Sequence, residues 1–233
     1  MAEPRKLTPA PRLMLRESVY EAVKGLLMDH DTEPGSKLSI DGIARDLQVS
    51  PTPVREALFR CEAEGLVVRK PNTGYVVAPL LNEKQLDDLY DIRLLLEPAS
   101  ARRAATSAST QELADIQAAA ASMTPTLAGD TYDAYREFAT QDAQFHAAIA
   151  TASGNPLIAE TLERLRAHTH GYRLFFRREL ARTVIDEHMA VINGLLAKDA
   201  QAAETAMRGH LEASRARLHD AYRHDTALAP TRA

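Results

Sequence analysis

The sequence predicts a mainly α protein in two parts: three helices with a small β-hairpin, followed by an all-α bundle of about six helices. Apolar residues recur at helical spacing through most of the 233 residues. Two short β-branched runs flank a Pro-Asn-Thr-Gly turn at residues 71–74, which predicts the hairpin. After Pro79 such runs end, and breaks separate about six helical stretches, near residues 107–110, 124–130, 154–156, 181–183 and 198–199.

The elements of the first part can be predicted in order. Three prolines and several charges within residues 1–12 indicate a flexible arm. The first helix runs from Leu13 to about His30, before a Pro-Gly break. Ser39 and Ser50 are N-cap candidates for the second and third helices, and Pro51 suits a first helical position. Gly65 is expected to end the third helix.

The bulk composition describes an ordinary globular chain. Hydrophobic residues make up 45% and charged residues 26%. Neither a membrane-length apolar run nor a secretory h-region is evident, so we expect a cytoplasmic protein without a membrane partner. The single cysteine, Cys61, excludes an intrachain disulfide and is expected to fill the core. Because the net charge is −4, DNA binding must be argued from the positions of the basic residues.

Residues 38–79 carry a long and specific motif. Ser50, Pro-Val-Arg-Glu-Ala-Leu at 53–58, Glu-Gly-Leu at 64–66, and Gly74, Val76 and Pro79 all match it. This stretch resembles the winged helix-turn-helix of the GntR family of bacterial transcription regulators. The resemblance implies that residues 13–79 bind operator DNA, with helix 51–64 entering the major groove.

The resemblance also implies which residues contact double-stranded DNA. Ser50 and Thr52 would place hydroxyls at the phosphates, and Arg55 would reach a guanine edge or a phosphate. Arg69, Lys70 and Gly74 would bring the wing to the backbone or the minor groove. Apart from the motif, Arg55 with Glu56 would simply be solvated charge, and Gly74 a turn residue.

The sequence departs from the family pattern at two positions on this face. Pro51 and Asp41 stand where the family usually has basic residues. Both departures remove positive charge from this face. Arg45, further along the second helix, supplies a positive charge there. The departures predict either a modest affinity or a different operator.

The run Gln-Asp-Ala-Gln-Phe-His at residues 141–146 raises a separate question. Asp142 and His146 are four residues apart, which places them on one helical face. Such a pair could be a surface ion pair, a catalytic dyad or half of a metal site. His188 and His210 also lie among apolar residues of predicted helices, where a histidine needs a polar partner.

The order of these residues resembles the FCD ligand-binding domain that follows many GntR winged helices. The resemblance implies that Asp142, His146, His188 and His210 hold a divalent metal, with Zn²⁺ the first choice and Ni²⁺ or a similar ion the alternative. Arg93 stands where the family has its Arg-x-x-x-Glu, with Glu97. It would clamp a carboxylate-containing effector or else only pair with Glu97. His168, His170, Tyr172 and Arg173 would either line the pocket or, as we expect, have solvated or packing roles.

The sequence thus predicts a regulator, most simply a repressor, that binds DNA as a homodimer and responds to a small organic acid. Residues 80–225 would form the effector and metal domain, and residues 226–233 a tail. Two alternatives stay open at this stage: a metal-dependent hydrolase or lyase with a vestigial helix-turn-helix, and a direct metal sensor. No general base or nucleophile motif accompanies the four ligands, so we expect no enzyme activity.

Overall fold

The computed structural model describes residues 12–29, 31–123, 131–174 and 180–224, and these fall into two compact units divided after Pro79. The predicted N-terminal arm and C-terminal tail therefore lie almost entirely outside the described residues. The described elements run in chain order as α1 (Arg12–Met28), α2 (Ile40–Asp46), α3 (Pro51–Ala63), β1 (Val67–Lys70), β2 (Gly74–Val77), α4 (Glu83–Ser107), α5 (Thr110–Ser122), α6 (Tyr132–Ala152), α7 (Pro156–Leu165), α8 (Ala167–Leu174), α9 (Leu180–Leu196) and α10 (Ala200–His224). None of the described helices combines the length and apolar character that crossing a bilayer requires.

The first unit is the predicted set of three helices and a hairpin. The Ser39 hydroxyl caps α2 by accepting from the amide of Gly42. Helix α3 buries Val54, Ala57, Leu58 and Cys61, which lie on one face and pack towards α1. The left-handed Gly65 follows the C-cap of α3, as expected. Strands β1 and β2 pair antiparallel, with Val67 opposite Val77 and Lys70 opposite Gly74.

The second unit is entirely helical over its described residues. Helix α4 begins with a capping box at Asn82 and packs along α10, which is the most extensive helix pairing in this unit. The aromatic side chains of Phe138 and Phe145 on α6 are fully buried. The same core contains Tyr90 and many aliphatic residues, including Leu86, Ile149, Ile192, Leu195, Met207 and Leu211. The mainly α fold class predicted from the sequence is confirmed.

One helix boundary differs from the sequence prediction. We expected a single helix through residues 156–179, but the structure divides the described part into α7 and α8 at Arg166. Arg166 adopts a left-handed conformation with φ 51°, which ends α7. The second unit therefore has seven helices among its described residues instead of about six. This break sets the direction of α8, which carries part of the site described next.

Candidate functional site

The N-terminal end of α3 is an exposed, unblocked surface. Ser50 is the N-cap residue but its hydroxyl makes no capping hydrogen bond, and both Ser50 and Thr52 are exposed. The first amides of a helix carry partial positive charge and lack helical partners. This end of α3 can therefore receive phosphate oxygens through hydroxyls and backbone amides together.

Arg55 is exposed on the next turn of α3. Its neighbour Glu56 pairs with Arg16 of α1 at 3.1 Å, so the carboxylate is engaged away from Arg55. One turn after Glu56, on the same face of α3, Arg60 binds Glu17 at 2.8 Å and stacks over the Tyr20 ring at 3.5 Å. Within the part of the chain that the structure describes, Arg55 has no ion-pair partner, which leaves its guanidinium for an outside ligand.

The hairpin presents two further cations at its turn. Arg69 and Lys70 are exposed at the end of β1, and Gly74 opens β2 with φ 87°. An added Cβ at Gly74 would meet nothing within 4 Å, so the glycine is needed for its backbone conformation and not for space. On α2, Arg45 and Asp41 are both exposed, while Pro51 is half-buried. Neither departure from the family motif is thus hidden in the core.

The four side chains singled out in the second unit come together in its interior. Asp142 and His146 lie one turn apart on α6, and His188 and His210 reach them from α9 and α10. Asp142 Oδ1 lies 3.4 Å from His188 Nε2 and 3.9 Å from His146 Nε2. One ring nitrogen from each of the three histidines falls within 4.8 Å of the others. All four residues are buried.

Several buried atoms in this cluster lack hydrogen-bond partners among the described residues. They are Asp142 Oδ1, His146 Nε2 and both ring nitrogens of His188. Leaving such atoms unsatisfied costs free energy, so a group that satisfies them is expected. Ligands at about 2.0–2.1 Å from a tetrahedral ion lie roughly 3.4 Å apart, close to the observed spacing. The donor set therefore fits a divalent metal ion.

Carboxylates hold two of the three imidazoles from behind. Glu97 Oε2 lies 2.5 Å from His146 Nδ1, and Glu187 Oε2 lies 2.8 Å from His210 Nδ1. A carboxylate behind Nδ1 favours the tautomer whose Nε2 lone pair points to the metal position. His188 differs, because its ring stacks on Phe145 with centroids 4.1 Å apart.

The second oxygen of Asp142 is also held. His168 Nδ1 lies 2.9 Å from Asp142 Oδ2, and the Tyr172 hydroxyl donates to the same oxygen at 3.2 Å. We expected His168 and Tyr172 to have solvated or packing roles, and this was wrong. Their spacing of four residues on α8 was the only sequence signal that they could face Asp142 together.

Burial keeps the cluster in the protonation states that bind metal. Burial lowers the pKa of His146 to about 4, against the opposing attraction of Glu97. Burial and the nearby His210 hold the pKa of His188 well below its usual range. Burial alone would raise the pKa of Asp142, but the neighbouring histidines His168, His188 and His146 lower it well below its usual value. Neutral imidazole and ionised carboxylate are the ligand forms.

A small cavity of about 80 Å³ opens beside the cluster. Asp142, His146 and His210 line it together with two arginines, Arg93 and Arg217. Arg93 Nε donates to Glu97 Oε1 at 2.5 Å, and both side chains are buried. Arg93 thus pairs with Glu97 and also lines the cavity, and its role as an effector clamp stays a prediction.

The two units together have the architecture of a DNA-binding regulator, and comparison with known proteins shows which kind. The family described as "Bacterial regulatory proteins, gntR family" matches residues 15–77, and the FCD domain family matches residues 88–213. The chain belongs to the GntR family and carries an FCD domain. It is a DNA-binding transcription regulator with an FCD effector-binding domain, and the matched domains and relatives are regulators, not enzymes.

Relatives match along most of the chain. The regulator LutR of Bacillus subtilis (strain 168) is 28% identical over 208 residues, which cover 80% of this chain and 93% of that protein. The Exu regulon transcriptional regulator of Escherichia coli (strain K12) is 29% identical over 231 residues, covering 91% and 84%. Among solved structures, Escherichia coli McbR/YncC has a TM-score of 0.65 at 24% identity, covering 89% of this chain and 98% of that one. That structural likeness supports the fold.

Proposed function

We propose that this regulator is a repressor that binds operator DNA as a homodimer in the cytoplasm, and that a small carboxylic acid bound at a metal ion in the FCD domain changes its DNA affinity. The observation that carries the proposal is the convergence of buried, unsatisfied Asp142 and histidine atoms beside a cavity lined by arginines. Such a cluster needs an ion, and the adjoining cavity offers room for a small ligand next to it.

Zinc is the ion that this donor set favours. Asp142, His146, His188 and His210 would supply one carboxylate oxygen and three imidazole nitrogens, which suits Zn²⁺, with Ni²⁺ as the alternative. When bound, the ion would supply positive charge beside the cavity, and expansion beyond four ligands would give it a position for an effector oxygen. The protein's part is to orient the ligands through Glu97, Glu187, His168 and Tyr172, as the hydrogen bonds of each residue indicate.

The charges around the cavity favour a single anionic group on the effector. Arg93, Arg217 and Asp142 line the cavity, and Glu97 and Glu187 bond to the two arginines. With neutral histidines, two positive and three negative charges leave one excess negative charge. A divalent ion turns this into one excess positive charge, which one carboxylate neutralises. Arg93 would bind that carboxylate as a charge-assisted donor.

At the DNA end, we propose that Arg55 enters the major groove while Ser50 and Thr52 hold the phosphates. Arg69, Lys70 and Gly74 would contact the adjoining backbone or minor groove, and Arg45 would add charge from α2. A homodimer would present two copies of α3 to two half-sites of a palindromic operator. An effector that favours one arrangement of the dimer would then change operator affinity.

Metal analysis combined with an operator-binding screen tests the proposal. We expect about one zinc per chain in protein purified without chelator, and loss of that zinc in His188→Ala. His219→Ala is the matched control, because His219 binds Asp87 on the other side of α10 and is not in the cluster. In gel shifts with the upstream DNA, we expect a monocarboxylic acid from a screen to weaken binding only when the metal is present.

Different outcomes would contradict different parts of the proposal. If the wild-type protein holds no metal and zinc does not raise its melting temperature, the metal site is wrong. If zinc alone releases the operator and no acid has any effect, the protein is a direct metal sensor. If an acid is needed for operator binding, it acts as a co-repressor or the protein as an activator.

A further inference from the structure

Two chains of charged side chains run from the cavity to the metal ligands. In the first chain, Arg93 Nε binds Glu97 Oε1 at 2.5 Å and Glu97 Oε2 lies 2.5 Å from His146 Nδ1. It joins α4 to α6. All three side chains are 6% exposed or less.

The second chain has the same chemistry on other elements. Arg217 on α10 binds Glu187 on α9 through both terminal nitrogens, at 2.7 and 2.9 Å. Glu187 Oε2 also lies 2.8 Å from His210 Nδ1. The side chains of Arg217 and Glu187 are 19% and 20% exposed, whereas those of Arg93 and Glu97 are almost fully buried.

Both arginines line the same cavity, so both chains start at one place and end at one metal position. Resting on the proposed function, we propose that Arg217 is a second anion-binding group of the effector cavity. We also propose that Glu187 positions His210, so that anion and metal binding strengthen each other through the Arg217–Glu187–His210 chain. In the first chain, Glu97 contacts Nδ1 of His146 as Glu187 contacts Nδ1 of His210, but the Glu97 side chain is more deeply buried.

The direction of the coupling follows from competition for the guanidinium. Glu187 accepts hydrogen bonds from both terminal nitrogens of Arg217. A carboxylate in the cavity takes over part of that fork, because Arg217 is partly exposed and borders the cavity. Glu187 then keeps fewer cationic partners and interacts more strongly with the Nδ1–H of His210. A better-held imidazole is a better metal ligand, and linkage requires the metal to favour the anion by the same factor.

The test measures zinc affinity by competition with a chromophoric chelator, with and without acetate as the probe anion. Glu187→Gln keeps the shape of the side chain but removes its charge, and is expected to weaken zinc binding by about 10- to 100-fold. Glu204→Gln is the matched control, since Glu204 is 24% exposed on α10 and pairs with Arg102 outside the cavity. We expect it to leave zinc affinity unchanged.

Acetate separates coupling from a merely structural role. In the wild type, acetate is expected to tighten zinc binding by about five-fold or more, at the lower end of usual coupling between sites. Arg217→Lys keeps the positive charge but cannot present a fork, so most of the acetate effect should be lost. A loss of general stability would lower the melting temperature without changing the ratio of zinc affinities with and without acetate.

The outcomes distinguish this inference from the function on which it rests. Unchanged zinc affinity in a folded Glu187→Gln protein would overturn the positioning role while leaving the metal site intact. A full acetate effect in Arg217→Lys would overturn the second anion group. No zinc binding by the wild type would instead contradict the proposed function itself.

Discussion

Arg55 shows how neighbouring side chains prepare one residue for an outside ligand. Glu56 and Arg60 of α3 form ion pairs with Arg16 and Glu17 of α1, whereas Arg55 is exposed and pairs with neither acidic residue. We predict that Arg55→Ala weakens operator binding by about 1–3 kcal/mol without lowering stability, because the guanidinium makes no ion pair with any described residue. Gel shifts over a salt series would measure it.

The control for this prediction is Arg164→Ala, which removes an exposed cation from α7 in the second unit. It should leave operator affinity unchanged. Equal binding by wild type and Arg55→Ala at every salt concentration would show that α3 does not read the operator in the proposed way.

Cys61, in contrast to the exposed Arg55, is buried and inaccessible to a ligand. It has no exposed surface, and burial together with the charge of Glu64 raises its pKa to about 12. Only about one thiol in ten thousand is therefore ionised at pH 8, and the thiolate is the reactive form. We predict that a disulfide reagent modifies Cys61 only after unfolding of the first unit. Rapid labelling of the native protein would contradict this.

At the scale of elements, the connection between α9 and α10 depends on a glycine. A Cβ at Gly194 would lie 2.6 Å from the backbone nitrogen of Ala203 on α10, closer than real contacts allow. We predict that Gly194→Ala destabilises the second unit by about 1–3 kcal/mol, because backbone cannot yield as a side-chain end can. Chemical denaturation followed by circular dichroism would measure the change.

Gly209 is the matched control within α10. An added Cβ there meets nothing within 4 Å, so Gly209→Ala should stabilise the helix by up to about 1 kcal/mol. If both alanine variants were equally stable, the close approach of α9 and α10 would not be a feature of the protein in solution.

The helices could be predicted from the sequence where local chemistry decides them. Ser39, Pro51 and Gly65 mark ends of α2 and α3 in the sequence prediction and in the structure alike, since caps and left-handed glycines act over a few residues. The break at Arg166 could not be predicted, because arginine has no preference for the left-handed conformation. Helix α7 packs against α4 and α6, and α8 packs against α6 and α10, so we attribute the break to these tertiary contacts.

The sequence also predicts some residues of the candidate site and not others. Asp142 and His146 are recognisable because one helical turn joins them. Glu187 and Arg217 are thirty positions apart on different helices, and nothing local in the sequence relates them. Their connection to His210 exists only after α9 and α10 have packed together. Hydrogen-bond partners of site residues are therefore the part that needed a structure.

At the scale of the whole molecule, the chain divides into two compact units, and among the described residues the candidate metal cluster lies in the second. We predict that zinc stabilises the second unit alone, by about 2.7 kcal/mol when free zinc is a hundred times its dissociation constant. Calorimetry with and without chelator measures the shift, and Cys61 labelling identifies the transition of the first unit.

His188→Ala should abolish the effect of zinc on stability. If zinc raised the unfolding temperatures of both units equally, a metal site confined to the FCD domain could not be the cause. If zinc shifted neither, the buried unsatisfied atoms of the cluster would have to be accommodated by water.

The hydrogen bond from Tyr172 to Asp142 has an optical consequence. The chain contains no tryptophan, so its ultraviolet emission comes from seven tyrosines. Tyr172 stacks on Tyr135 with ring centroids 5.7 Å apart, and its hydroxyl donates to the carboxylate of Asp142. A carboxylate acceptor quenches phenol emission, so we expect the tyrosine emission of the protein to rise when an ion binds Asp142 and draws charge from it. Titration with zinc while the emission is followed measures this without an added dye.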